Sequence, residues 1–205
     1  MPLINQLAIN ENTVLLVWHI TEQPHELHPR FLHRLKDKNY TASQQNLHWL
    51  ASRAAIAAHF EYGDLILLKD EKNKPSLTVD GENYYLSITH SFDYAAVLVS
   101  NTHQVAVDFE KYDPRIERVK FKFASDKELK FALDDKLLTI LWSAKETLYK
   151  FYSKKQVIFK TNLSLEPFVA TDTLIYGNII MPDLTMRLPI HLLEIDGYCV
   201  TYIVQ

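Results

Sequence analysis

The chain has 205 residues, 47% of them apolar, enough to bury a substantial core and a size that suits one large domain or two small ones. Its 22 basic and 25 acidic side chains leave a formal charge of -3, which excludes a globally polybasic nucleic-acid or membrane binder and makes any anion site a local patch. The single cysteine, Cys199, excludes an internal disulfide and a multi-cysteine metal centre.

Thr13–Ile20 is apolar and rich in strand formers, so it reads as a buried strand. Gln23–Tyr40 is polar. Its His25, His28 and His33 lack the spacing and partner ligands of a zinc site and read as solvated. Helical spacing from Ala42 to Tyr62, with Ser43 as cap and Gly63 as stop, predicts a long helix carrying Arg53 in its middle. Leu65–Leu68 reads as a short strand and Lys69–Ser76 as a charged turn. Tyr84–Thr89, Tyr94–Ser100 and Val105–Glu110 then alternate with turns, as in an antiparallel sheet. Pro114 marks a boundary. The stretch after it is basic through Arg115, Arg118, Lys120, Lys122, Lys127 and Lys130; it reads as a solvated helix face or an anion-docking patch, and Ser125 and Glu128 have capping-box spacing. A helix with Leu137, Leu138, Leu141, Ala144 and Leu148 on one side follows. Val157–Leu165, Leu174–Met181 and Leu192–Val204 read as closing strands, Cys199 filling the last. Helix followed by strands thus occurs twice. No apolar run is long enough to span a bilayer, and the N-terminus lacks a basic start with an unbroken apolar core, so a cytoplasmic location is expected.

The chemistry concentrates in two places. Strand side chains alternate, so Asp108 and Glu110 project to the same face and offer two carboxylates to a cation. On the following helix Glu146 lies one turn before Lys150. Three hard oxygen donors with lysines beside them suit magnesium and a phosphate ester; taken singly, the same residues also suit solvated strand-end acids and a surface Glu-Lys pair.

Asp108-Phe-Glu110, followed about a helix later by Trp142-Ser-Ala-Lys145-Glu146-Thr-Leu-Tyr-Lys150, resembles the signature pair of the 4'-phosphopantetheinyl transferases, specifically the two-lobed, monomeric type that activates surfactin synthetase. Asn73-Lys74-Pro75 resembles the family's Gly-Lys-Pro, Leu86-Ser-Ile-Thr89-His90-Ser91 its Asn-Ile-Ser-His-Ser strand end, and Phe123-Ala-Ser-Asp-Lys-Glu128 its Phe-x-Ser-x-x-Glu segment. The resemblance runs from about Ala42 to Asn162. It implies an α+β fold of two similar lobes related by a pseudo-twofold axis, each a small, mostly antiparallel sheet packed with a long helix: residues 1–102, and residues 103–205 with the metal motifs. It also implies coenzyme A in the cleft between them, magnesium on its pyrophosphate, and transfer of the phosphopantetheine arm to a serine of an apo acyl or peptidyl carrier protein, releasing 3',5'-ADP. By residue, it implies Asp108, Glu110 and Glu146 as metal ligands, Glu146 as proton acceptor and Lys150 on the attacked phosphate. Lys145 would stand beside Lys150, and Lys74, Pro75, Thr89 and His90 would hold the nucleotide end of coenzyme A.

Several positions depart from the family pattern. Ala106 replaces the usual glycine before the metal aspartate, adding a methyl beside the cofactor's path, and Phe151–Gln156 replaces the glycines after the final lysine. Gln44, Gln45 and Asn46 stand where relatives carry a nucleotide-binding arginine, so that contact is either missing or supplied by Arg53, Arg30 or Arg34. The competing readings are a degenerate, non-catalytic coenzyme A or carrier-binding module, motivated by those losses, and magnesium-dependent phosphoester hydrolysis on the same residues.

Overall fold

The computed structural model describes residues 4–23, 25–27, 35–37, 47–71, 74–154 and 156–205. The chain divides into two compact units, residues 1–105 with 204–205, and residues 106–203. His28, His33, Arg30, Arg34, Ser43, Gln44, Gln45, Asn46 and Asn73 lie outside the described residues.

Among the described residues of the first unit, strands β1 (Ile4–Asn10), β2 (Thr13–His19), β3 (Leu35–Asp37), β4 (Leu65–Lys69), β5 (Pro75–Val79), β6 (Glu82–Ser91) and β7 (Tyr94–Ser100) form one sheet in the order β1-β2-β7-β6-β5-β4-β3. Only β3 and β4 pair in parallel there. Val79 pairs with Glu82 across Asp80-Gly81, both at positive φ as a two-residue hairpin turn requires. Helix α1 (Leu47–His59) packs on β2, β6 and β7, burying Leu50, Ala54, Ala55 and Ile56 against Trp18, Leu67 and Val97. Its small residues let the helix lie close on the sheet.

The second unit is built on β8 (Val105–Lys111), β9 (Leu163–Leu165), β10 (Leu174–Met181), β11 (Leu184–Ile195) and β12 (Tyr198–Val204), in the order β8-β12-β11-β10-β9. Helix α2 (Asp135–Tyr152) covers this sheet. Asp134 caps it by accepting from the Leu137 amide at 2.8 Å, and Ser153 ends it in the left-handed conformation at φ 54°, where a glycine is favoured. Leu138, Leu141, Ala144 and Leu148 pack into the core with Ile175, Ile179, Leu188 and Ile190. Gly177 leaves no room for a side chain: a β-carbon there would stand 2.7 Å from Leu148 Cδ1 and 2.9 Å from Ile190 Cδ1.

The mixed α+β character is as the sequence implies, and several elements differ from their expected form. The basic stretch is three short 3-10 turns (Pro114–Arg118, Lys120–Lys122, Glu128–Lys130), not a helix. Val157–Leu165 opens with the one-turn helix α3 (Phe159–Asn162) before the brief β9. Leu192–Val204 is two strands, because Asp196-Gly197 takes positive φ and turns the chain between Ile195 and Tyr198. Cys199 in β12 is buried, and burial pushes its thiol well above the ordinary range. Among the described residues no helix is long and apolar enough to cross a membrane.

Candidate active site

Helical geometry puts residues four apart on one face, so Trp142, Glu146 and Lys150 form a stripe along α2. That stripe meets the face of β8 carrying Asp108 and Glu110. Lys150 Nζ donates to Asp108 Oδ1 at 2.7 Å and to the Val107 carbonyl at 3.1 Å. About two turns back along the helix, Trp142 Nε1 donates to Glu110 Oε1 at 2.9 Å. Between these contacts, Glu146 has its carboxyl pushed up to about 7, first by burial and then by the negative charge of Asp108 and Glu110, with Lys150 opposing. The three carboxylates and the lysine share one electrostatic environment within the second unit.

Beside that stripe, a second set of contacts holds the helix to the neighbouring strand. Ser143 Oγ and Thr147 Oγ1 both lie within hydrogen-bond distance of Thr201 Oγ1, at 2.9 and 2.7 Å, and Thr147 also donates to the Thr201 carbonyl. All three hydroxyls are buried. They tie α2 to β12 with polar contacts inside an otherwise apolar layer.

Ala106 lies on the Asp108 face of β8, but its methyl is fully buried in the core with α2 residues instead of standing beside an open path. Lys145 departs further from expectation. Its ammonium is completely buried and donates to Glu128 Oε2 at 2.8 Å and to the carbonyls of Phe123 and Phe159 at 2.8 and 3.1 Å. These contacts engage all three of its donors, which supports a structural role over contact with a ligand. Glu128 in turn accepts from the Ser125 amide and hydroxyl and, through Oε1, from the Leu165 amide. Removing one partner of such a pair leaves a buried charge uncompensated, at a cost of about 3–5 kcal/mol.

A magnesium ion is compatible with the donor chemistry. Burial, with the charges of Asp108 and Glu110 added to it, raises the proton affinity of Glu146, and a divalent cation would offset that repulsion. Yet among the described residues no group of three acidic, histidine or cysteine side chains is already gathered for a metal. Lys150 engages Asp108 through Oδ1 and Trp142 engages Glu110 through Oε1.

In the first unit, Arg53 is buried on α1, its guanidinium 4.5 Å from the Trp49 ring and donating to Ser52 Oγ. With His48, Lys69, Pro75 and His90 it lines a cavity of about 270 Å³. His90 stacks on His48 with ring centroids 4.5 Å apart, and His48 donates from Nε2 to the Phe92 carbonyl. Lys74 and Pro75 line a second cavity of about 570 Å³ with Asp70, Ser76 and Tyr85, and burial lowers the Lys74 ammonium. Thr89 is buried on β6. Of the residues expected to hold coenzyme A here, Arg53, Pro75 and His90 share one cavity, and His48 and Lys69 join them without any motif to announce them.

Paired carboxylates on a strand, facing a carboxylate and a lysine on a helix, make a class of site suited to neutralising and orienting a phosphate diester or anhydride. No protein-family model matches this chain. It is similar to the holo-[acyl-carrier-protein] synthase of Geobacillus kaustophilus (strain HTA426), with 44% identity over 46 residues, 22% of this chain and 36% of that protein. The chain thus spans about a third of the length of the curated relative it matches. This local similarity supports a relationship to the phosphopantetheinyl transferases at that coarse level.

Proposed function

We propose that this protein transfers the 4'-phosphopantetheine arm of coenzyme A to a serine hydroxyl of an apo carrier protein, releasing 3',5'-ADP. The observation that carries the reading is the α2 stripe of Trp142, Glu146 and Lys150 set against Asp108 and Glu110. In it, Asp108, Glu110 and Glu146 are the residues to hold magnesium, and the ion, when bound, offsets pyrophosphate charge. Glu146, with its proton affinity raised towards neutrality, accepts the serine proton. The serine oxygen forms a new bond to the phosphorus bearing the pantetheine arm. The bond from that phosphorus to the bridging oxygen breaks, and the oxygen leaves on 3',5'-ADP. Lys150, released from Asp108, balances the charge growing on the phosphoryl oxygens. Arg53, Lys74, Pro75, Thr89 and His90 are assigned to the nucleotide end of coenzyme A. The finer reading, the two-lobed surfactin-synthetase-activating type acting on acyl or peptidyl carriers as a monomer, rests on the motif order from Lys74 to Lys150.

Incubation with coenzyme A, magnesium and an apo carrier protein should raise the carrier's mass by one phosphopantetheine group. Coenzyme A binding with no transfer across a broad panel of carriers would overturn the assignment. Release of 3',5'-ADP without a carrier would replace it with hydrolysis.

A further inference from the structure

Phe123 and Phe159 each play two parts. Their carbonyl oxygens accept from the buried Lys145 ammonium, at 2.8 and 3.1 Å. Their rings lie on Trp142, with centroids 5.1 and 5.4 Å away. Trp142 then presents its indole N–H to Glu110. Glu128, the partner of Lys145, draws in the Ser125 turn and the end of β9 at Leu165. We infer that the buried Lys145–Glu128 pair is a positioning device: by anchoring Phe123 and Phe159 it fixes the Trp142 ring, and through the indole N–H it sets the direction of the Glu110 carboxylate.

Lys145 and Glu146 are neighbours on α2, and fixing the azimuth of one fixes that of the other. An ammonium reaching two backbone carbonyls and a carboxylate ties three chain segments to the helix at a single point. A core made only of apolar side chains could hold the segments together, but it would not specify the rotation of the indole. The pair therefore acts on Glu110 without touching any ligand. Its importance for transfer rests on Glu110 being a cation ligand, whereas the linkage from Lys145 to Trp142 does not.

The test compares Lys145→Met/Glu128→Gln, which keeps the stem volume and a carbonyl acceptor, with the milder Lys145→Arg in case the first does not fold. The indole N–H resonance of Trp142 is identified by its loss in Trp142→Phe. In both pair variants it should move in the direction produced by Glu110→Gln. Its hydrogen exchange should quicken by about tenfold more than that of the slowest backbone amides, which report global stability. Equal acceleration everywhere, or an unmoved resonance, overturns the inference. Manganese affinity is the second readout: Trp142→Phe and the pair variant should each weaken it about tenfold, and combining them should add nothing. Additive losses overturn the route through Trp142. If the native protein binds no manganese and modifies no carrier, the proposed function fails while the indole measurement still decides the positioning role.

Discussion

Glu146 carries two charges of responsibility, as a proton acceptor and as one of three neighbouring acids, and its titration reflects both. An ordinary glutamate loses its proton near 4.5, whereas here the native carboxyl holds it to about 7. Between those values the native state binds the extra proton. The stability associated with that proton is fully present below about 4.5 and is lost as pH rises through about 7. In cation-free buffer, Glu146→Gln should remove this decline and stabilise the protein at pH 8 by about 1–3 kcal/mol, with little change at pH 4, as read by urea denaturation. The same substitution should lower transfer by about 100-fold or more, because the serine proton loses its acceptor. Lys150→Met should lower the rate to a similar extent. It should leave Asp108 open to a cation, so manganese affinity should hold or rise, which separates charge balancing from cation binding.

At the scale of elements, the site depends on how closely and at what rotation α2 lies on its sheet. Gly177→Ala pushes a methyl into Leu148 and Ile190 and should cost about 1–3 kcal/mol, measurable as a lower denaturation midpoint. Thr201→Val leaves the buried hydroxyls of Ser143 and Thr147 without their shared partner and should cost about 1–3 kcal/mol as well. Much of this layer was legible beforehand. The alternation around Asp108 and the helical period through Leu148 each report a local repeat, and both elements form where those repeats place them. The turn at Asp196-Gly197 was masked by apolar residues on both sides, although Asp-Gly is itself a hairpin signal. The role of Glu128 was half visible: its spacing from Ser125 marked a capping box, and that box forms. Nothing local could say that the same carboxylate is also buried against Lys145, because that contact joins residues 17 positions apart. The Trp142–Glu110 bond and the His48–Arg53 cavity are tertiary in the same sense, and no spacing rule reaches them.

For the whole molecule, charge is balanced globally and uneven locally. The turns from Pro114 to Lys122 expose Arg118, Lys122 and the ring of Phe121, which is 65% accessible. If an acidic carrier docks there, Arg118→Glu/Lys122→Glu should weaken carrier binding and flatten its salt dependence while coenzyme A affinity stays unchanged. An unaltered Michaelis constant for the carrier would move docking elsewhere. One further property belongs to the chain as a whole. The sole sulfhydryl sits inside β12 with its acidity suppressed by burial, so native protein should resist alkylating reagents. Its modification then becomes a clock for opening of the second unit. A substrate whose own reactive end is a thiol can also be tagged in the protein's presence without marking the protein itself.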